Sequence, residues 1–484
     1  MAIQIVQKRG LATEKNIKGS HHLFVLDSAT LKTFPFKKEL DRKLKRTLKK
    51  MESLAKTPIT IETQDGHFLS FIVLDKKNNT FQRHTSIRKA LQPLLSENPA
   101  MLTIAVFGDE ALKEINARAA IYVALMNSQT LPSRKKENPK KNIKSIELLG
   151  VEIKDKFSEE VAIINGNTLT RELTMLPPNE LTPSIYRTKI KSLAKSNGWN
   201  LEEFDMAKLK KMGAGSFVAV GQGSEPQDAA IVHLTYKPKQ FKKTIAVIGK
   251  GICFDTGGHN LKPARYMHGM HEDMNGSAVS LGILLTATLL KLPIKIDCWL
   301  AIAQNHIGPK AYKQNDVVKS LNGTTIEIIH TDAEGRMVLA DTLTLASRLK
   351  PDMMIDFATL TGSMATALGD RYSGVITNRP ELSCLAVGAG SESGERIAAF
   401  PFDEDYEEDL ESGIADIKQC TLEGGADHIH AARFLNRFIE KNVPWLHTDL
   451  SSSNRKGGLG AALSEVNGFG VNFGIQVLKK FLQK

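Results

Sequence analysis

The stretch TIAVIGKGICFDTGG (244–258) joins a run of small apolar and β-branched residues to a polar segment that contains glycine. The run TIAVIG (244–249) predicts a strand inside a sheet, and the glycines that follow allow close backbone approach and positive φ. Three further apolar runs lie at 294–303, 325–330 and 352–360, with helical patterns between them such as VLADTLTLASRL (338–349). The alternation predicts a buried, mostly parallel sheet with helices on both faces.

The N-terminal third of the chain differs from the remainder in charge. The 484 residues exceed what one hydrophobic core usually serves, so more than one domain is expected. Residues 1–160 hold 29 Lys and Arg against 18 Asp and Glu, which accounts for the whole net charge of +11. This asymmetry predicts a domain boundary near residue 160. A solvated basic face is the favoured interpretation, and a nucleic-acid surface is the alternative.

Three segments follow from these patterns. Apolar runs and helix-like stretches alternate in residues 1–160, and a helix is predicted over 157–176, where a double proline (177–178) ends it. The fold class is therefore α/β, with a small basic N-terminal α/β domain (1–160), a linker helix and Pro-rich turn (161–183), and a larger α/β domain (184–484). The larger domain is expected to have a central mixed, mostly parallel sheet flanked by helices.

The composition also predicts where the protein works. Hydrophobic residues make up 42% and charged residues 24% of the chain, which is typical of soluble globular proteins. No segment approaches the ~18 uncharged apolar residues of a membrane helix, and the first residues lack the apolar core of a signal peptide. The four cysteines lie singly, which indicates reduced thiols. We therefore expect a cytoplasmic protein without a membrane partner.

Charged side chains follow two of the predicted strands, where ligands bind in open α/β sheets. A buried charge is costly unless it is paired or bound to a metal ion. Each group alone is a common turn or surface feature, but together they indicate two divalent metals, which carboxylates can bridge. Such a pair polarises a carbonyl and lowers the pKa of a bound water, so hydrolysis is the expected reaction. The groups are Lys250, Asp255, Lys262, Asp273, Asp332 and Glu334.

These residues resemble the signatures of the leucyl aminopeptidase (cytosol aminopeptidase) family, whose members are two-metal exopeptidases. The first signature is GKGICFDTGGHNLKP (249–263), which continues to HEDMNG (271–276), and the second is HTDAEGRMVLAD (330–341). The resemblance covers about residues 165–484 and implies that 184–484 form a catalytic domain. It implies a zinc- or manganese-dependent aminopeptidase that hydrolyses the N-terminal bond of peptide substrates and assembles as a homohexamer.

The resemblance also implies roles for single residues. One metal would be bound by Lys250, Asp255, Asp273 and Glu334. The second would be bound by Asp255, Asp332 and Glu334, so that Asp255 and Glu334 bridge the two ions. Lys262 would stabilise the oxyanion of the tetrahedral intermediate, and Arg336 would hold a bicarbonate ion as general base. The free amino group of the substrate would bind one metal, which explains the removal of the first residue alone.

The resemblance further implies a pocket for the first side chain of the substrate. Its positions are Met270, Thr359, Gly362, Ser451 and Asn454. Ser451 and Asn454 are more polar than is usual in the family, so a different or broader preference than leucine is expected. Some bacterial members of the family also bind DNA, which the basic N-terminal domain leaves open here as an additional function.

Several other side chains near the signatures have less specific interpretations. His330 stands where the family commonly has asparagine, and a hydrogen-bonded structural role is expected. His259, His268 and His271 form no His-Glu-x-x-His pattern, so they are not expected to bind metal. Cys253 raises a competing thiol-nucleophile mechanism, but a small packing residue is the favoured interpretation.

Overall fold

The structure is a computed structural model that describes residues 3–15, 17–137 and 143–483. The chain divides into two compact units. The first comprises Met1–Ile164, Ser391–Gly394 and Arg455–Asn467, and the second comprises Asn165–Gly390, Glu395–Asn454 and Gly468–Lys484.

The described part of the first unit contains a mostly parallel sheet and several helices. The strands are β1 (Gln4–Lys8), β2 (His21–Leu26), β3 (Ile59–Glu62), β4 (Phe68–Val73), β5 (Met101–Val106) and β6 (Ser145–Leu149), and the helices are α1 (Lys37–Arg46), α2 (Thr80–Ser96) and α3 (Glu110–Asn127). They form one sheet of order β1-β6-β5-β2-β4-β3, in which β3 and β4 alone are antiparallel. Short 3₁₀ helices lie at Thr30–Lys32 and Met51–Ala55. Helix α4 (Ser158–Thr174) ends before the double proline at 177–178.

The second unit holds the longer strands. Its strands are β7 (Asn200–Asp205), β8 (Ala230–Tyr236), β9 (Lys243–Asp255), β10 (Ile294–Asn305), β11 (Val317–Lys319), β12 (Thr325–Glu327), β13 (Met353–Ala358), β14 (Ser373–Thr377), β15 (Ile397–Ala399), β16 (Ile417–Lys418) and β17 (Trp445–Asp449). Its helices, together with α12, which extends beyond the second unit, are α5 (Pro183–Asn197), α6 (Met206–Met212), α7 (Gly215–Gly221), α8 (Ala264–Met267), α9 (Asn275–Leu289), α10 (Glu334–Arg348), α11 (Gly362–Leu368), α12 (Pro380–Ser393), α13 (Asp427–Asn436) and α14 (Val471–Gln483). Its 3₁₀ helices are Met270–Met274, Glu404–Leu410 and Glu440–Asn442.

A mixed sheet of order β15-β14-β17-β13-β9-β10-β8-β7 forms the centre of the second unit. Four of its seven neighbouring pairs are parallel. Successive residues of β9 point to opposite faces. Ile245 and Val247 pack with residues of α5, α9 and α14, whereas Ala246 and Ile248 pack with residues of α7, α10 and α13. The predicted fold class, a mixed and mostly parallel sheet flanked by helices, is confirmed.

Two details of the sequence prediction are wrong. The run at 325–330 was expected in the central sheet, but only Thr325–Glu327 forms a strand, and it lies in a separate sheet of order β11-β12-β16. The reason is its length, because Ile326 is the one buried residue of β12 and Gly323, with φ of +95°, turns the chain into a hairpin with β11. The strand expected to end at residue 249 also continues to Asp255, because β9 pairs with β10 along its length.

Helix α9 packs closely against the central sheet, which positions the 3₁₀ helix Met270–Met274 that directly precedes it. A Cβ on Gly249 would lie 2.4 Å from the Cα of Ser277, and a Cβ on Gly276 would lie 2.1 Å from the carbonyl oxygen of Phe357. Only glycine permits these approaches, as expected for the glycine before Lys250. No helix in the described ranges is long and apolar enough to cross a bilayer.

Candidate metal centre

Three buried carboxylates converge at the carboxyl end of β9. Asp255 is the last residue of β9, Asp273 lies in the 3₁₀ helix Met270–Met274, and Glu334 begins α10. One ligand oxygen from each lies within 4.8 Å of the other two. All three residues are at most 6% exposed. Charges buried so closely together require cations.

Lys250 supplies one cation from within β9. Its Nζ donates to Asp273 Oδ1 at 2.8 Å and lies 3.0 Å from Glu334 Oε1. The same ammonium donates to the backbone carbonyl of Thr359 at 2.8 Å. A Cβ on Gly335 would lie 2.7 Å from Lys250 Cε, so the first turn of α10 needs a glycine to pass the lysine side chain.

Lys262 supplies a second cation from the loop after β9. Its Nζ lies 3.0 Å from Asp255 Oδ2 and forms an ion pair with Asp332. The loop turns back at Gly257 and Gly258, whose φ angles are +86° and +65°. The backbone N–H of Gly257 donates to Asp255 Oδ1 at 2.8 Å. The expectation of positive φ at the glycines after Asp255 is thus confirmed.

Hydrogen bonds from neighbouring residues hold the two loops in place. Asn305 Nδ2, at the end of β10, donates to Asp255 Oδ1 at 2.8 Å and to the carbonyl of Thr331 at 3.0 Å. Thr331 Oγ1 donates to the Gly257 carbonyl at 2.6 Å, and the backbone N–H of Thr331 donates to Asn260 Oδ1 at 2.8 Å. Sequence reasoning missed Asn305, because its place opposite Asp255 depends on the pairing of β9 with β10.

The carboxylates repel one another in a poorly solvated site. Burial, together with the charge of Asp255, raises the pKa of Asp273 and of Asp332 to about 6. Burial raises the pKa of Glu334 well above its ordinary value, and Asp255 adds to this shift. Burial lowers the pKa of Lys250, but the surrounding carboxylates raise it by more, so the net shift is upward. Divalent cations would relieve the repulsion among the acids.

The residues present fit divalent metal ions. Carboxylate oxygens suit manganese and also bind zinc, and a neutral lysine amine can serve as a further donor. Asp273 Oδ2 is buried and has no hydrogen-bond partner among the residues that the structure describes. Across the described ranges, the group of side chains close enough to share an ion consists of Asp255, Asp273 and Glu334, without histidine or cysteine.

Arg336 lies in the first turn of α10 with its guanidinium buried. Nη2 donates to both carboxylate oxygens of Asp427, at 2.7 and 2.8 Å. Nη1 donates to the backbone carbonyl of Gln419 at 3.1 Å. Nε has no partner within the described part of the chain. Sequence reasoning missed Asp427, whose only signal was a carboxylate after two glycines at the start of a helix.

A sequence model described as the catalytic domain of the cytosol aminopeptidase family matches residues 168–474. The chain belongs to this family. The match spans more than half of the chain and includes every residue of the metal centre described above. The resemblance drawn from the two sequence signatures is thereby confirmed.

Relatives agree with this assignment. A probable cytosol aminopeptidase of Pseudomonas fluorescens is 42% identical over 319 residues, which are 64% of this chain and 64% of that protein. A probable cytosol aminopeptidase of Prochlorococcus marinus is 38% identical over 357 residues, which are 72% of this chain and 71% of that protein. The aligned part thus spans about two thirds of these relatives.

Solved structures share the fold over nearly the whole chain. The bottromycin maturation enzyme BotP in complex with Mn superimposes with a TM-score of 0.83 at 26% identity, covering 96% of this chain and all of BotP. A tomato leucine aminopeptidase mutant superimposes with a TM-score of 0.84 at 24% identity, covering 100% of this chain and 97% of that chain. The second match concerns the fold alone.

Three of the residues predicted to line the substrate pocket of this cytosol aminopeptidase family member lie beside the metal centre. Met270 begins the 3₁₀ helix that carries Asp273, and Thr359 Oγ1 donates to Asp273 Oδ1 at 2.7 Å. Asn454 Nδ2 donates to Glu272 Oε1 at 2.8 Å, next to Asp273 in sequence. Glu272 lies within the first signature (HEDMNG, 271–276), which gave it no role.

The other two predicted pocket residues have different surroundings. Gly362 begins α11, and a Cβ added there would meet no described atom within 4 Å. The preceding Thr361 caps this helix, and its Oγ1 donates to Asp449 Oδ2 at 2.6 Å. Ser451 Oγ donates to the carbonyl of Tyr372 at 2.6 Å, so its hydroxyl is bonded to the backbone after α11.

His330 and His428 form hydrogen bonds with other residues of the chain, and Cys253 is buried. His330 Nδ1 accepts from the backbone N–H of Asp332 at 3.3 Å. His428 pairs with Ser363 Oγ at 2.9 Å through Nδ1. Cys253 is 1% exposed and burial raises the pKa of its thiol, which disfavours the thiolate that a nucleophile requires.

Proposed function

We propose that this chain is a metal-dependent aminopeptidase that hydrolyses the N-terminal peptide bond of peptides. The observation that carries the proposal is the buried group of Asp255, Asp273 and Glu334, whose ligand oxygens lie within 4.8 Å of one another. Membership in the cytosol aminopeptidase family supports the reaction class. The manganese named for BotP supports a divalent ion at an equivalent centre.

Two divalent ions, zinc or manganese, would be held by Lys250, Asp255, Asp273, Asp332 and Glu334. When bound, they would polarise the substrate carbonyl and lower the pKa of a water molecule to near neutrality. Lys250 must be a neutral amine to act as a ligand, so its proton has to leave when the cations replace it as partners of Asp273 and Glu334. Its present contacts show that it already lies within reach of both carboxylates.

Lys262 is the residue proposed to stabilise the oxyanion. Its ammonium lies at the mouth of the cluster, between Asp255 and Asp332, and its side chain is 14% exposed. A cation held in place by two carboxylates is organised before the negative charge develops on the substrate oxygen, which is the condition for effective stabilisation of a transition state.

Arg336 is proposed to position the anion that acts as general base. A planar guanidinium suits bidentate binding of an anion of the size of bicarbonate. In this chain, however, Nη2 already donates to both oxygens of Asp427 and Nη1 to the Gln419 carbonyl, so bicarbonate would have to displace Asp427. The bicarbonate that the resemblance implies does not fit beside this guanidinium as it stands.

The proposal extends to side-chain specificity, assembly and location. Met270, Thr359, Gly362, Ser451 and Asn454 would line the pocket for the first side chain. The pair of Asn454 and Glu272 makes one wall polar, which supports acceptance of residues other than leucine. A homohexameric assembly and a cytoplasmic location are carried over from the family resemblance.

Chelation tests the metal-dependent reaction. The protein is treated with a chelator, its metal content is measured, and hydrolysis of a panel of amino-acid p-nitroanilides is followed before and after manganese or zinc is added back. We expect activity to disappear with the metal and to return with either ion. Full activity after verified metal removal would contradict the proposal. Loss of activity in Cys253→Ala and to iodoacetamide, but not to chelation, would indicate a thiol mechanism instead.

Binding of nucleic acid by the first unit is a second proposed function. The excess of basic over acidic residues lies in residues 1–160. Six basic side chains on α1 and just after it are exposed, namely Lys38, Arg42, Lys45, Arg46, Lys49 and Lys50. Phosphate contacts strengthen as salt falls, so a salt titration with duplex DNA measures them. Binding that is undetectable at low salt would remove this proposal.

A further inference from the structure

The guanidinium of Arg336 already holds an anion that belongs to the chain. Nη2 donates to Asp427 Oδ1 at 2.7 Å and to Oδ2 at 2.8 Å. The Arg336 side chain is 2% exposed, whereas that of Asp427 is 21% exposed. The carboxylate therefore lies on the accessible side of a buried cation, in the place where a bound anion would have to lie.

The start of α13 fixes this carboxylate. Asp427 is the first residue of α13, where the helix dipole favours negative charge. The next residue, His428, is bonded to Ser363 of α11 twice, since its backbone N–H donates to Ser363 Oγ at 2.9 Å and its Nδ1 lies 2.9 Å from the same oxygen. The position of Asp427 is thus set by backbone and side-chain contacts as well as by Arg336.

Asp427 is connected to the loop that carries the metal centre through Arg336 and Gln419. Arg336 Nη1 donates to the carbonyl of Gln419 at 3.1 Å. The Gln419 side chain in turn contacts the loop, since its Nε2 donates to the carbonyl of Ala333 at 3.0 Å and its Oε1 accepts from the backbone N–H of His330 at 3.2 Å. The Arg336–Asp427 pair is therefore linked by hydrogen bonds to the segment that carries Asp332 and Glu334.

We infer that Asp427 is the general base of this enzyme and takes the role for which the family resemblance implies bicarbonate. This inference rests on the proposed aminopeptidase function. The Asp427 carboxylate would accept a proton from the attacking water as the water oxygen bonds to the substrate carbonyl carbon. The carboxylic acid would then return the proton to the amine nitrogen as the carbon–nitrogen bond breaks. One water is consumed and Asp427 ends as a carboxylate.

The unaltered protein gives the first test. Manganese-loaded enzyme is assayed in buffer freed of carbon dioxide and again with millimolar bicarbonate, and binding of ¹³C-labelled bicarbonate is followed by the broadening of its NMR signal. We expect full activity without bicarbonate, no stimulation by it, and no binding. Activity that depends on bicarbonate would overturn the inference while leaving the aminopeptidase function intact. Absence of peptidase activity under every metal condition would overturn both.

Two substitutions of Asp427 give the second test. Asp427→Asn keeps the shape but removes the base, and general-base catalysis contributes about 10²–10⁴-fold, so kcat should fall by that factor. The kcat of Asp427→Gly should fall by the same factor but recover with millimolar bicarbonate, and bicarbonate binding should appear in the NMR measurement. Asp427→Asn should show neither, because its amide fills the same space.

A matched control separates catalysis from folding. Asp409 Oδ2 lies 3.0 Å from Nε2 of His430, which belongs to α13 as Asp427 does. Asp409→Asn therefore removes a carboxylate contact of α13 outside the site and should leave kcat unchanged. Melting temperature and bound metal are measured for each variant. A folded, metal-loaded Asp427→Asn enzyme with unaltered kcat would overturn the inference. If the variants do not fold, the bicarbonate dependence of the unaltered enzyme still decides.

Discussion

The two lysines of the metal centre lie in different surroundings. Lys250 projects from the interior of a long strand and its side chain is 4% exposed, enclosed by Asp273 and Glu334. Lys262 comes from a loop, its side chain is 14% exposed, and one of its partners, Asp332, is 27% exposed. Lys250, on β9, thus belongs to an enclosed, strand-borne half of the site, and Lys262 belongs to a more exposed, loop-borne half, where we expect the substrate to approach.

The two halves also differ in what keeps them in place. Sheet pairing fixes Lys250, which lies opposite Ala301 of β10. Side-chain hydrogen bonds fix the loops, above all the reciprocal contacts of Asn260 and Thr331. Loss of a strand-borne group should therefore affect folding and metal binding together, and loss of a loop-borne group should affect catalysis more than folding.

Lys250→Met should have the largest effect. It leaves two buried carboxylates without their cation, and removing one partner of a buried pair costs about 3–5 kcal/mol in the free energy of unfolding. Metal-dependent activity should be lost as well. Urea unfolding of the metal-free protein measures the effect. The control is Lys208→Met, which removes the exposed ion pair with Glu202 and should cost at most about 1 kcal/mol. Equal effects of the two substitutions would contradict the comparison.

Lys262→Met should reduce catalysis more than stability. Removal of one group that stabilises an oxyanion lowers kcat by about 10²–10³-fold. We expect the melting temperature of the metal-loaded protein to change little, because the ammonium is partly exposed. Steady-state kinetics and thermal unfolding on the same preparation check both statements. If Lys262→Met lowered the free energy of unfolding of the metal-free protein as much as Lys250→Met does, the two halves of the site would not differ.

Asn305→Ala should weaken metal binding without abolishing it. Asn305 donates to Asp255 Oδ1 at 2.8 Å and so orients a predicted bridging ligand. Loss of such a supporting hydrogen bond typically lowers metal affinity or activity by about 10–100-fold. Isothermal titration with manganese measures the dissociation constant. An unchanged constant would show that sheet pairing alone orients Asp255.

The pH dependence of metal stabilisation should be the smallest effect. The pKa of Asp273 and of Asp332 is raised from its ordinary value of 3.8 to about 6 in the folded chain. Between these two pH values the folded, metal-free chain therefore holds protons that the unfolded chain has released. These two groups make the metal-free protein less stable as pH rises from 3.8 through about 6. Manganese binds the ionised form, so the rise in melting temperature on adding it should be larger above pH 6 than below.

The sequence predicted the chemistry of this site better than its geometry. The charged side chains that gather at the site were evident because they follow apolar runs, and a buried charge demands a compensating partner. Asn305 and Asp427 were not evident, since an amide at a strand end and a carboxylate at a helix start are common where no site exists. Their contacts depend on which strands and helices become neighbours, and a one-dimensional pattern does not specify this.

Strand boundaries show the same limit. The glycine at 249 and the charge of Lys250 suggested the end of a strand, yet β9 continues because its backbone pairs with β10 and its lysine finds carboxylates. Tertiary partners overrode the local pattern. For the run at 325–330 the predicted sheet was wrong, because its strand β12 pairs with β11 and β16 in a small separate sheet and not with the central sheet.

Anomalous X-ray diffraction from crystals soaked in manganese would show how many ions the buried carboxylates hold. We expect two peaks between Asp255 and Glu334, separated by about 3.5–4 Å as in other two-metal sites. One peak would lie toward Lys250 and Asp273, and the other toward Asp332. No peak at these carboxylates, or a single peak at saturating manganese, would contradict the two-metal account.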